Sequence, residues 1–399
     1  MSKIFNIANL YMFIATLYLL QDIAYEGGSL LSKLIIAIFV AFSFAMWIIA
    51  TLRYKLPLYC KGLNILLAMF TIYGIALLFS HDTYSVWAFS AEVSKHTYIL
   101  SIYLSLLPIY AFYIFTLNGK FTTPSIQFWS IILLISSVLR FLSYYYTRTS
   151  VVGTDEITNT YGYLFVGFIP LLVFFAKRPL LQYTFLAVCT ILVIFSMKRG
   201  AILILAVGLI PLVWSMLQQG SRLHRTIIAL FLIAFTIAGV YFTQHMLSTS
   251  EYFLVRIEDT LSGNTSHRDI LKTQIWDYYF NDASFIQKLI GGGANHTLKI
   301  ADNYAHNDWL EILVNQGIFG VIIYILYWIG FYRTYRISKR ILPQTDESFE
   351  IRTVLFITLV ASLCMTTFSM SYANFPIGFT MALGIALGKF TIAQNGTNE

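Results

Sequence analysis

The chain has 399 residues, 58% of them hydrophobic and 11% charged, with a mean hydropathy of +0.70. That much apolar surface cannot be hidden in one aqueous core, which excludes a soluble globular protein and points to an all-α polytopic membrane protein. The net charge of +7 is no nucleic-acid signal, because lysine and arginine gather in alternate loops as membrane topology requires.

Apolar runs long enough to cross a bilayer fall near residues 4–21, 34–52, 62–80, 97–117, 126–146, 160–176, 180–197, 200–217, 226–244, 308–332, 353–372 and 376–395, about twelve transmembrane helices. No small-residue cleavage site follows the first run before Asp22 and Glu26, so it reads as the first membrane helix. With a cytoplasmic N-terminus, the inside loops carry Arg53, Lys55, Lys61, Lys120, Lys177, Arg178, Arg222, Arg225, Arg333, Arg336, Lys339, Arg340 and Arg352. The short outside loops carry mainly Asp22, Glu26, His81, Asp82, Glu92, Asp155 and Glu156. Both termini are therefore expected in the cytoplasm. Cys60, Cys189 and Cys364 lie in or beside apolar segments and read as small buried hydrophobes.

One loop, residues 245–305, is polar, far longer than the other outside loops and on the outer side of this topology. It divides the chain into helices over 1–244, the loop, and a last helical group over 306–399. Leu271, Ile275, Tyr278 and Tyr279 recur at helical spacing within residues 269–280, and Gly291, Gly292 and Gly293 then break the pattern. This predicts either an amphipathic lid on the membrane surface or a packed plug with no chemical role.

At the far end of that loop, His306 and Asn307 are followed by nine residues and then Gly317-Ile318-Phe319-Gly320. On a continuous helix, about 100° per residue puts Gly317 nearly beneath His306 and Gly320 about 40° away. The expectation is an imidazole at the outer end of a membrane helix, with two glycines below it that let another helix approach closely. A lone interfacial histidine is more often structural, but the whole pattern is sharper than its parts. It resembles the signature of the O-antigen ligase and polymerase superfamily (Wzy/WaaL type). Arg199-Gly200 is similar to an Arg-Gly element of that family. Arg268, Trp276 and the glycine turn resemble its loop segment, although three consecutive glycines depart from the looser Gly-x-Gly form.

The resemblance implies a membrane glycosyltransferase that uses a polyprenyl-diphosphate-linked oligosaccharide as donor and a glycan hydroxyl as acceptor, on the periplasmic face of the bacterial inner membrane. It also implies a flippase and a chain-length regulator as partners. Departure of a diphosphate needs stabilisation of its charge. No outside carboxylate cluster suited to a metal is evident, so no metal or other cofactor is expected, and arginines are the expected substitutes. Arg199 and Arg268 are the candidates for the diphosphate, with Arg256 weaker because Glu258 and Asp259 stand near it. The plainer alternatives are a snorkelling Arg199 and a solvated Arg268. His306 is the candidate base for the acceptor hydroxyl. Asn307 either orients substrate or imidazole or caps a helix. Glu311 either binds substrate, supports an arginine or belongs to a buried ion pair. Arg140, inside the fifth run, either binds the diphosphate or faces a polar cavity. His245, His267 and His296 lack metal-site spacing and read as solvated residues, and Asn159, Tyr161 and Tyr163 either line a sugar cleft or belong to an aromatic belt. The favoured reading is a repeat-unit polymerase; an O-antigen ligase acting on the lipid A core is the alternative. A lipid-linked oligosaccharide transporter is the rival from another class, disfavoured by the lack of duplicated halves.

Overall fold

The computed structural model describes residues 6–396, apart from residues 82, 84, 87–90, 153–160, 197, 220–221, 250–253, 255–257 and 259–267. The described residues are almost all helical, in the order α1 (Ile7–Leu19), α2 (Leu30–Arg53), α3 (Leu58–Phe79), a two-residue antiparallel pair β1 (Ser85–Val86) and β2 (Ala91–Glu92), α4 (Lys95–Leu106), α5 (Pro108–Leu117), α6 (Thr123–Val152), α7 (Tyr161–Val166), a 3-10 segment (Ile169–Phe175), α8 (Pro179–Phe195), α9 (Arg199–Gln219) and α10 (Arg222–Thr249). The long loop holds α11 (Arg268–Asp277), a π turn (Tyr278–Asp282), α12 (Phe285–Ile290) and α13 (His296–Ala301). Three helices close the bundle: α14 (Asp308–Ile341), α15 (Asp346–Phe368) and α16 (Ile377–Gly396).

Among the described residues, eight helical segments are long and apolar enough to cross a membrane, and three shorter apolar ones accompany them. Every run expected from the sequence lies on helix, but several are broken. Pro108 has no backbone N–H to continue a ladder, and it separates α4 from α5. The run at 160–176 tightens into a 3-10 segment around Pro170.

Close packing relies on small residues, as expected where lipid offers no hydrophobic drive between helices. α5 lies against α16, where a Cβ on Gly384 would sit 2.6 Å from the Ile109 carbonyl oxygen and one on Gly388 2.6 Å from Thr116 Cβ. α3 and α14 run antiparallel: Gly62 faces the Tyr327 Cα, Gly330 faces the Leu58 carbonyl, and Tyr59 N donates to Thr334 Oγ1 at 3.0 Å. Polar side chains inside the bundle find partners across helices. Tyr59 and Tyr327 hydroxyls meet at 2.9 Å, Gln127 donates to the Phe174 carbonyl at 2.7 Å, and Gln182 to the Leu172 carbonyl at 2.8 Å. Each such bond removes a polar group that hydrocarbon could not satisfy.

The loop helices form an ordered cap on one end of the bundle. The face carrying Leu271, Ile275, Tyr278 and Tyr279 turns inward, with Ile275 fully buried against Ala305, Leu310 and Val314. A helical period read from the sequence is thus matched by packing. The same end of the bundle carries a cavity. Arg53, Arg333, Arg336, Lys339 and Arg340 lie at the opposite end of their helices.

Candidate active site

The approach to His306 is fixed from below. α14 does not begin at His306. It begins at Asp308, and Asn307 is its N-cap, the side chain accepting from Leu310 N at 3.1 Å. His306 stands outside the helix with a left-handed backbone, φ 50°. At Gly317 the helix breaks (φ 68°, ψ −168°). The expectation that His306, Gly317 and Gly320 share one continuous helical face is therefore corrected. Gly317 does serve close packing, but of a different kind. It receives the backbone of Leu289 and Gly291 from the loop rather than another membrane helix, and a Cβ there would overlap them. Gly320 faces Ile312 and Gln316 of its own helix across the break.

Two buried carboxylates hold the ends of the His306 loop. Glu311 accepts from Ala305 N at 2.5 Å, from Thr297 Oγ1 at 2.7 Å and from Asn315 Nδ2 at 3.0 Å. Asp308 accepts from Ser371 N at 2.7 Å, from the Ser371 hydroxyl and from Tyr324 OH at 2.5 Å. Glu311 is thus tied to a backbone N–H, a hydroxyl and an amide, not to an arginine, and it does not line the cavity. A left-handed non-glycine residue costs about 1–2 kcal/mol. The clamp on Ala305 from one side and on Ser371 from the other is what keeps it there.

His306 lines a cavity of about 680 Å³ whose walls also include Lys198, Arg268, Arg140, Tyr163 and Tyr304. Burial first, then the positive charges of Arg268 and Lys198, push the imidazole down to about 4. The ring is accordingly neutral at neutral pH and able to accept a proton. Arg268 reaches the Tyr163 hydroxyl, which also donates to the Phe368 carbonyl at 3.2 Å. The Tyr304 hydroxyl is pushed up to about 12, by burial and then by Glu311, so it stays a neutral hydrogen-bonding group.

Of the arginines singled out in the sequence, Arg268 and Arg140 line the cavity; Arg199 does not, and its predecessor Lys198 does. Arg256, His267 and Asn159 lie outside the described residues. Arg140 is a second cationic position. It lies over the Tyr161 ring at 5.7 Å, stands 3.7 Å from Asp22, and is accepted by Gln21 once that amide is turned. Its Nε is buried without a partner. Tyr161 and Tyr163 both line the cavity. His296 is not the solvated residue expected but has a packing role: its Nε2 meets Tyr278 OH at 2.8 Å, and its ring covers Gly292. His245 is at the end of α10 beside Tyr241. Sequence reasoning missed Lys198 and Asp308. Lys198 was visible only as the neighbour of Arg199, and Asp308 only as part of the run after His306.

Residues 184–325 match the family model for O-antigen ligase. The match makes this segment similar to O-antigen ligases and supports the resemblance to the O-antigen ligase/polymerase superfamily. No match was found among curated proteins. The matched segment includes the cavity-lining Lys198, Arg268 and His306, and Glu311 behind them. Arg140 and the Ser369–Ile377 wall lie outside it.

Proposed function

We propose that the chain is a surface-polysaccharide polymerase that joins polyprenyl-diphosphate-linked repeat units at the outer face of the bacterial cytoplasmic membrane. The observation that carries the reading is a neutral, buried imidazole in the same cavity as Arg268 and Lys198. The two cations hold the donor diphosphate by charge-assisted hydrogen bonds. The acceptor hydroxyl attacks the anomeric carbon, and its proton passes to His306. The bond from that carbon to the diphosphate oxygen breaks, and the electron pair leaves with the polyprenyl diphosphate, whose charge Arg268 and Lys198 stabilise. An arriving diphosphate offsets the charges that depress the imidazole, so the base strengthens when the donor is seated. No metal enters this scheme. The cavity end lies away from Arg53 of α2 and from Arg333, Arg336, Lys339 and Arg340 of α14, which supports an outward-facing site.

The family description favours a second reading, a ligase that moves the finished glycan to the lipid A core. The two differ only in acceptor. The surface glycan of a deletion strain, complemented with wild type or His306→Ala, decides between them. A lipid A core bearing one repeat unit, corrected by wild type alone, is the polymerase result. Bare core with long chains still on polyprenyl diphosphate is the ligase result. Correction by His306→Ala overturns the role of the base, and donor stranded on the inner leaflet would point to a transporter.

A further inference from the structure

The segment from the π turn to the glycine turn sits deeper than a surface loop, and two helices give its depth independently. In the antiparallel contact of α3 with α14, Gly62 faces Tyr327. Eleven residues on from Gly62 is Tyr73, and eleven back from Tyr327 is Gln316. Tyr73 donates its hydroxyl to the Ile290 carbonyl, and Gly291 lies directly on the Asn315–Gln316 backbone. Both helices therefore put the end of α12 at one level. On α3 that level is six residues short of Phe79, about 9 Å inside the helix end. Ile75, Leu78 and Phe79 beyond it remain apolar and exposed. On α14 only sixteen residues separate Gly317 from Arg333, about 24 Å of helix. A hydrocarbon core is about 30 Å thick, so it continues past Gly317 toward the cavity end.

The backbone at this depth is satisfied within the protein, as non-helical chain in a bilayer must be. Gly317 breaks α14 and leaves the Val314 and Asn315 carbonyls to accept from Gly292 N at 2.9 Å and Gly293 N at 3.0 Å. Gly291 N donates to Gln287 O at 2.8 Å, Tyr279 OH to Lys288 O at 3.1 Å, and Lys288 Nζ to Phe280 O at 2.8 Å. Asn281, Asp282 and Ser284 before α12 are exposed and polar, but within α12 the exposed side chains are all apolar. Phe285 is 75% and Ile286 66% exposed, flanked by exposed Phe280 and Ile290. The C-terminal end of their helix, Leu289 to Gly291, meets Gly317, next to Ile318 and Phe319, exposed apolar residues of α14 just past its break. In water such a patch would be an aggregation liability.

We propose that α12, Phe285–Ile290, forms a re-entrant wedge in the outer leaflet, with lipid acyl chains covering Phe285 and Ile286 and polar Asn281, Asp282 and Ser284 at its outer edge. The wedge leads through the glycine turn to Asn295, which lines the cavity, so lipid seats that wall at the depth where a lipid-linked substrate presents its head group. The full chain in phosphatidylcholine vesicles tests this, on a Cys364→Ser background, since Cys60 and Cys189 are buried. Single cysteines replacing Phe285 or Ile286 are labelled with a polarity-sensitive fluorophore and exposed to nitroxide-labelled phospholipid or to aqueous iodide. Phe319→Cys is the lipid-facing reference and Lys272→Cys the aqueous one. Quenching by lipid nitroxide like that at 319, with iodide ineffective, is the expected result. Iodide quenching like that at 272 overturns the proposal, and so does shielding from both quenchers, which would mean a second copy of the chain covers the face. The measurement needs no glycosyl transfer, so it can be repeated in His306→Ala and its failure is separate from failure of the proposed reaction.

Discussion

Replacing Glu311 with alanine tests whether the buried carboxylate positions His306. Three donors meet it: Ala305 N, Thr297 Oγ1 and Asn315 Nδ2. Thr297 keeps a second acceptor, Asn315 Oδ1 at 3.0 Å, so it loses little. The Ala305 N–H and Asn315 Nδ2 have no other acceptor among the described residues, and each buried donor left unpaired costs about 1–3 kcal/mol. The loop would have about 2–6 kcal/mol to gain by moving, and the left-handed strain at His306 adds to the same direction. Displacing a base by about 1 Å can lower turnover about 10²-fold. The cations proposed to hold the donor are untouched, so the fall should appear in kcat and not in KM. Glu311→Gln keeps one acceptor oxygen but turns an amide N–H₂ toward a donor, and should lie between alanine and wild type. The assay is turnover of purified lipid-linked donor in proteoliposomes, with thermal unfolding followed in parallel. A Glu311→Ala protein with wild-type kcat refutes the argument, as does one whose loss lies wholly in KM.

The remaining predictions concern charge, the helix break and the cap. The acid limb of kcat/KM should lie near pH 4 rather than near the ordinary histidine value, because the neutral imidazole is the active form and its folded value is depressed. Since the unfolded chain binds that proton first, stability should fall as pH drops from about 6.5 toward 4; pH-dependent unfolding of wild type and His306→Ala checks the sign. Arg268→Ala should weaken donor binding and also move the acid limb upward, whereas Arg268→Lys should restore most of the latter; an unmoved limb would show that Arg268 does not act on His306. Gly317→Ala should destabilise by more than about 2 kcal/mol, through positive φ and overlap with the Leu289 backbone. Gly239→Ala, with open space around it, should be neutral or slightly stabilising, and melting in detergent compares the two. Asn307→Ala should cost about 1 kcal/mol as a lost N-cap, read in the same melts.

Sequence by itself determined the membrane class, the helical segments, the inward face of the loop helix and the likeness to the O-antigen ligase/polymerase superfamily. These depend on composition, on a 3.6-residue period and on a short motif, all of which are local along the chain. It also singled out His306, Arg268 and Arg140, because an ionisable group at a membrane boundary is conspicuous against apolar neighbours. What it could not supply was the path of the backbone around them. Gly317 was legible as a small residue, but nothing local says that its φ is positive, that it breaks the helix, or that the freed carbonyls are taken by Gly292 and Gly293. That break is stable only because a loop segment some 25 residues away in sequence fills it. Glu311 was legible as a costly buried charge, but its partners Thr297 and Ala305 reach it only through the fold of the loop. The choice of Lys198 over Arg199 on the cavity wall was likewise a matter of which side of a helix start faces inward. Tertiary structure decided these points because burying a polar group depends on partners brought from elsewhere in the chain, and no residue carries that information alone.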